Sequence, residues 1–231
     1  MNCFLKLIFL FKINTLYSIM DDPTTVSMIH MSRIHLLEIL KESGYNVDNY
    51  TNYSINHVAT LIRNNQLNLL LSKQDQEDTQ RIYIKYFMDG SRITTQAVHK
   101  IKDEIFADES ELKFKKSDTL LIIMKDEPND NIKETLNELW NIYGIFITII
   151  NIHRLQFNIL KHQSVPPHKI LNDEEIAEFK RKYNIQSNSE IPTISRYDAV
   201  ASIICMRPTQ ICKIIRKSRT SLESEYYRIC I

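Results

Sequence analysis

Apolar and polar positions alternate along this chain in a way that separates helical from extended stretches. Ile34, Leu37, Ile39 and Leu40 recur at helical spacing within residues 32–44 and stop at Gly44, which predicts an amphipathic helix with a glycine stop. Val58, Leu61, Ile62, Leu67 and Leu70 predict a second helix over residues 55–71, and the polar stretch 72–80 predicts a loop. Residues 81–88 carry Ile82, Tyr83, Ile84, Tyr86 and Phe87, which favour a strand, and Asp89-Gly90 signals a turn. A helix follows over residues 93–106, with Val98, Ile101 and Ile105 on one face, then a charged loop at 108–116 and an apolar strand at 119–124. Residues 130–143 read as a helix with Ile132, Leu136, Leu139 and Trp140 inward, capped by Gly144, and 145–150 as the next strand. Strand, helix, strand, helix, strand implies a sheet with flanking helices and parallel pairing.

A second unit opens at residues 155–162. Val165-Pro166-Pro167-His168 excludes helix interior. Asn172 before Asp173-Glu174-Glu175 predicts a capped short helix running to Tyr183. Ile191-Pro192-Thr193-Ile194 is extended, residues 197–204 form a short helix, and 210–216 and 225–231 form two strands joined by an eight-residue loop. In period two, Ile211, Lys213 and Ile215 share one face while Cys212, Ile214 and Arg216 share the other. Neither face is purely polar, which predicts that both are at least partly covered, one by the domain's own core and the other by a partner.

Composition narrows the class. With 43% apolar and 25% charged residues, the 231-residue chain can bury a core without disulfide or metal staples. Cys3, Cys205, Cys212 and Cys230 form no C-x-x-C pair and have no histidine at ligand spacing, so they read as reduced intracellular thiols rather than a zinc site or a secreted framework. The 35 Ile against 6 Val point to an AT-rich genome. The formal charge is +1, yet residues 20–157 hold 15 Lys+Arg and 20 Asp+Glu (15 − 20 = −5) and residues 158–231 hold 12 and 8 (12 − 8 = +4). An acidic first half disfavours a sequence-independent DNA clamp there. The run Phe4 to Phe11 is broken by Lys6, closed by Lys12 and too short for a span, so residues 1–19 read as an apolar extension rather than a leader or anchor.

The second unit carries an ordered set of motifs: His162-x-x-Val165-Pro166-x-His168-x-x-Leu171-x-x-Glu174-Glu175, Tyr183, Ile191-Pro192-x-Ile194, and Asp198-x-Val200-Ala201. It closes with Lys213-Ile214-Ile215-Arg216-x-Ser218-x-Thr220 and Tyr227-Arg228. This set resembles the C-terminal domain of the common fifth subunit of eukaryotic nuclear RNA polymerases, a domain with its equivalent in an archaeal polymerase subunit, without gaps from Ile191 onward. Ser43-Gly44-Tyr45 and the strand-helix-strand order over 119–150 are similar to the eukaryotic N-terminal domain. The resemblance implies an α+β chain: an apolar extension (1–19), an N-terminal three-layer α/β jaw-like domain (20–154), and a small C-terminal α+β assembly domain with a mixed sheet (155–231). It also implies a non-catalytic polymerase subunit without cofactor or metal, docked on the largest subunit, its first domain near downstream duplex DNA. No membrane and no small-molecule substrate enter this reading. The setting is the nucleus for a cellular source, or a virion or host cytoplasm for a large DNA virus.

Candidate partner-binding residues are Pro166, His168, Lys213, Arg216, Ser218, Tyr227 and Arg228, with Arg216 and Arg228 the first choice because arginine forms charge-assisted bonds with carboxylates. His162 and His168 lack a Cys or carboxylate partner and read as turn-stabilising rather than metal-binding. The chain departs from the family where glycine is usual, at Cys205, Thr209 and Leu222, and where proline is usual, at Ala199. Turns there must be rebuilt or carry strain. Two alternatives belong to other classes: a metal-dependent nuclease using Glu111-Leu112-Lys113, and a free-standing nucleic-acid-binding module. The triplet lies in a charged loop rather than on an apolar strand with a second carboxylate, which disfavours catalysis.

Overall fold

The computed structural model describes residues 22–73, 80–88, 93–106, 114–218 and 220–231. The extension 1–19, the Asp89-Gly90 turn and the Glu111–Lys113 triplet lie outside the described residues. Two units divide between Phe157 and Asn158.

Helix α1 (Pro23–Glu42) starts earlier than its apolar spacing predicts, because Asp22 caps it by accepting from the Thr24 N–H and Pro23 occupies the first turn. Val26 and Ile29 prolong the buried stripe that continues through Leu36, Leu37, Ile39 and Leu40. Helix α2 spans Ile55–Arg63 and stops well short of residue 71. Asn65 adopts the left-handed conformation (φ 54°) that asparagine tolerates, and the chain re-emerges as strand β1 (Leu69–Ser72). Leu69 and Leu71 are buried and Leu70 is exposed, so the leucines follow period two.

Strand β1 pairs antiparallel with β2 (Arg81–Phe87), Leu69 opposite Ile84 and Leu71 opposite Ile82. Strand β2 pairs parallel with β3 (Thr119–Met124), and β3 parallel with β4 (Phe146–Asn151). The sheet order is β1-β2-β3-β4, mixed through its first strand. Helices α3 (Thr95–Phe106) and α4 (Asp130–Glu138) supply the two crossovers. Every residue of β3 and β4 is buried, so this part of the sheet is covered on both faces. After α4 the chain makes a π turn over Leu139–Tyr143, and Gly144 closes it at φ 68°, donating its N–H to the Trp140 carbonyl. Asp118 pins the start of β2 to β3. Its carboxylate accepts from the Arg81 N–H (2.9 Å), Arg81 Nη2 (2.7 Å) and the Lys115 N–H (2.9 Å).

The second unit is a four-stranded mixed sheet in the order β5-β7-β8-β6: β5 (His168–Ile170), β6 (Thr193–Ile194), β7 (Ile211–Ser218) and β8 (Leu222–Cys230). Strands β5 and β8 flank β7 antiparallel, and β6 lies parallel to β8. Helix α5 (Asp173–Lys182) carries a full capping box between Asn172 and Glu175. Helix α6 (Ala199–Ile203) is shorter than predicted, its cap being Asp198. The β7–β8 ladder runs to Ser218 opposite Leu222, so three residues rather than eight connect the strands. Chain fold and class are thus α+β, with one sheet in each unit.

Candidate functional site

The β7–β8 ladder sorts the seven candidate residues by face. Cys212 lies opposite Arg228 and Ile214 opposite Tyr226, while β5 places His168 beside Ile214. His168, Arg216, Tyr226 and Arg228 therefore share one face, with Cys212, Ile214 and Cys230 beneath them. Lys213 and Tyr227 are opposite each other on the reverse face.

Both faces of the sheet are buried at one end by the domain itself. On the reverse face Leu171, Phe179, Ile191, Ile211 and Ile229 form a core against α5. On the first face Ala201, Met206, Cys212, Ile214 and Cys230 form another. The mixed patterning of β7 at its start is thus accounted for by two internal cores, one on each face. Farther along, Arg216 and Lys217 on β7 and Leu222 to Tyr226 on β8 are mostly exposed, and the ribbon projects beyond its own core.

On the reverse face the polar groups satisfy each other. Lys213 Nζ lies 2.5 Å from Glu225 Oε1, and the Tyr227 hydroxyl donates to Glu225 Oε2 at 2.9 Å. Tyr227 stacks on Phe179 with ring centroids 4.0 Å apart. Burial, aided by that carboxylate, pushes the Tyr227 hydroxyl up to about 12.

The first face is different. Arg216 stacks over the exposed Tyr226 ring at 5.0 Å and has no carboxylate within ion-pair distance among the described residues. Arg228 Nη1 donates to the Thr193 carbonyl at 2.8 Å, tying β8 to its neighbour β6. His168 Nδ1 lies 2.6 Å from the Pro166 carbonyl, which fixes the ring against the β5 edge. Burial lowers the His168 pKa, the Pro166 contact and Asp198 pull it up, and Arg216 and Arg228 push it down further. Asp198, the cap of α6, also faces this group. Ser218 sits at the hairpin tip, its hydroxyl 3.2 Å from that of Thr220.

The structure brings together His168, Arg216 and Arg228, with Pro166 as a backbone acceptor, and separates them from Lys213 and Tyr227. Tyr226 joins the first group. Its place was readable from the pairing of β7 with β8, because position 226 shares a face with 228. Nothing in this cluster has the form of a catalytic centre. Burial raises the Cys212 thiol and pushes Cys230 up to about 11, so neither is a thiolate near neutral pH. Among the described residues no group of three or more His, Cys, Asp or Glu side chains is placed to hold a metal ion.

Residues 157–230 match the family model for the C-terminal domain of RNA polymerase Rpb5. Over 76 residues, a third of this chain, the sequence is 38% identical to the DNA-directed RNA polymerase subunit Rpo5 of Thermococcus celer and covers 92% of it. The chain belongs to the family of the fifth subunit of DNA-directed RNA polymerases. Similarity to eukaryotic members of the fifth-subunit family reaches into the first unit. The Arabidopsis thaliana DNA-directed RNA polymerase V subunit 5A is 24% identical over 188 residues, 80% of each chain. The Dictyostelium discoideum subunit rpabc1 of RNA polymerases I, II and III is 26% identical over 172 residues, 74% of this chain and 82% of that one.

Proposed function

We propose that this fifth-subunit chain is a non-catalytic component of a multisubunit DNA-directed RNA polymerase, joined to the largest subunit by its C-terminal unit. One observation carries the assignment to that unit. The family model for the C-terminal domain covers residues 157–230, and the archaeal relative is matched over 92% of its length by only 76 residues of this chain, so the C-terminal unit is the part that supports a shared role in assembly. The first unit is then the part added in the eukaryotic relatives, and it takes the position of a jaw beside downstream DNA. Its −5 charge over residues 20–157 (15 − 20) suits limited local contact with a duplex rather than wrapping. The chain works where that polymerase transcribes, which is the nucleus in a cellular source.

Within the C-terminal unit the docking residues are His168, Arg216 and Arg228 with Tyr226. Arg216 is exposed, stacked and without a counter-ion among the described residues, so its guanidinium suits a partner's carboxylate or carbonyl. Lys213 and Tyr227, by contrast, have their bonds inside the hairpin.

A tagged full chain is expected to recover the two large subunits from native extract. Arg216→Ala should weaken incorporation by about 1–3 kcal/mol if the contact is desolvated, without lowering the melting temperature of the free chain. Lys213→Met should do the reverse, lowering stability slightly and leaving incorporation unchanged. Recovery of monomer alone at low salt, or unchanged incorporation of both Arg216→Ala and Arg228→Ala, would remove this surface from the assignment.

A further inference from the structure

Strand β8 leaves part of its backbone unpaired. The Cys230 N–H donates to the Gln210 carbonyl and the Cys230 carbonyl accepts from the Thr209 N–H, both at 2.9 Å, so even-numbered residues of β8 turn their backbone groups toward β7. Odd-numbered residues turn theirs toward β6: the Ile229 N–H donates to the Pro192 carbonyl at 2.9 Å and the Ile231 N–H to the Ile194 carbonyl at 3.0 Å. Strand β6 lies beside Ile229 and Cys230 only. The next acceptor along that edge is the Tyr227 carbonyl, and the residue in line to serve it is Pro192, which has no N–H. Ile191, before it, is packed into the core with Leu171 and Phe179. The N–H and carbonyl groups of Tyr227 and Glu225 are therefore turned outward, and nothing among the described residues bonds them. Glu223 is served locally by Ser221.

Such a row of outward N–H and C=O groups is a template for one more strand. The cationic side chains of the first face reach toward the same edge. Arg216, on β7, holds its guanidinium 5.0 Å from the ring centre of Tyr226 on β8, and Arg228 extends to the Thr193 carbonyl of β6. Among the described residues no carboxylate lies within ion-pair distance of either. Asp198, the acid that faces this group, accepts from the Val200 and Ala201 N–H groups as the cap of α6. A strand laid beside Glu225 and Tyr227 would turn alternate side chains onto this face.

We propose that the partner receiving the C-terminal unit adds an extended segment to the open edge of β8, in the lane that β6 leaves at Pro192, with an aspartate or glutamate turned toward Arg216 and Arg228. This rests on the docking reading above and gives it a geometry. Main-chain bonds to Glu225 and Tyr227 hold the segment, and the two guanidinium groups select its acid. A segment of about four residues suffices, since each strand residue advances about 3.4 Å. A helix fits less well, because its own backbone groups are already paired along its length. The opposite edge of the ribbon is filled by β5 as far as Pro167, whose carbonyl takes the Ile215 N–H at 3.2 Å.

The test is hydrogen exchange read to single residues by fragmentation mass spectrometry, on the tagged full chain alone and in the assembly it recovers from native extract. The Glu225 and Tyr227 amides are expected to exchange freely in the chain alone and at least about tenfold more slowly in the assembly. Ser224 and Tyr226, paired with β7, should be protected in both and serve as references. Glu225→Pro deletes one outward N–H and leaves the β7 ladder intact, whereas Glu225→Ala loses the bond to Lys213 and keeps the N–H. The proline variant should recover the large subunits about tenfold less well than the alanine variant. If it melts well below the alanine variant, exchange in the parent chain decides alone. A parent chain that recovers no large subunit overturns the docking reading and strand addition with it. Recovery with Glu225 and Tyr227 still exchanging freely overturns strand addition alone, as does equal recovery of two folded variants. Protection that rises with the concentration of the free chain would give this edge to a second copy and overturn the assignment as well.

Discussion

Thr209→Gly should stabilise the C-terminal unit. Thr209 has φ 73°, and the Gln210 N–H donates to the Arg207 carbonyl at 3.1 Å, so Arg207-Pro208-Thr209-Gln210 is a turn with proline second and a left-handed residue third. That is the geometry of a type II turn, in which the third position belongs to glycine. A residue with a Cβ incurs about 1–2 kcal/mol in this conformation, and a β-branched one falls at the upper end. Glycine returns about 0.5–1 kcal/mol of this through its greater freedom in the unfolded chain. The Thr209 side chain is exposed, so its removal exposes no core, and the bond from the Thr209 N–H to the Cys230 carbonyl at 2.9 Å survives. The net gain is about 1 kcal/mol, or a rise in melting temperature of about 4–8 °C for a domain of this size. The assay is urea and thermal unfolding of the unit from Asn158 to Ile231, followed by circular dichroism, beside Thr209→Ala. Alanine keeps the Cβ and should recover less than half of the gain. A Thr209→Gly variant no more stable than the parent, or an alanine variant as stable as the glycine one, would show that the backbone there is not strained.

Three other outcomes are expected. Asp118→Ala leaves the Arg81 guanidinium and two backbone N–H groups without their acceptor at a side chain only 1% exposed, and should destabilise the first unit by about 3 kcal/mol in urea unfolding. His168 has a lowered pKa in the fold, chiefly through burial, so the unfolded chain binds more protons; stability of the second unit is full above the ordinary histidine value and falls as pH drops below it. His168→Gln should flatten that acid limb in melts between pH 5 and pH 8, the range in which histidine titrates. Purified chain with Mg²⁺ should leave duplex DNA intact over long incubation, and cleavage abolished by Glu111→Ala would replace the non-catalytic reading with the nuclease one.

The three positions where the family's glycine is missing show how far sequence reasoning reaches. Cys205, Thr209 and Leu222 all adopt positive φ, at 53°, 73° and 57°, the conformation glycine tolerates, so these turns carry strain. The residue types foretold a conflict but not its resolution. Resolution depends on the surrounding bonds, such as Thr209 N–H to Cys230 and Met206 N–H to Ala201, which hold the backbone regardless of the side chain.

Local chemistry was decided by the sequence. The Asn172–Glu175 cap, the strands around Ile122 and Ile149 and the Gly144 stop are set by neighbours a few residues away, and each could be read from them. Tertiary pairing decided the rest. Residues 67–71 suit either a helix or a strand by spacing, and they become β1 because β2 offers them a ladder and a buried face. The ribbon's mixed faces are equally ambiguous by pattern, and only the folded sheet shows two internal cores on them, Ile211 with Ile229 and Cys212 with Cys230. Which candidate cations remain open to a partner was likewise undetermined by composition. Among the described residues Lys213 finds Glu225 across the hairpin and Arg216 finds an aromatic ring but no carboxylate, because charge pairing depends on register, and register is a property of the folded sheet.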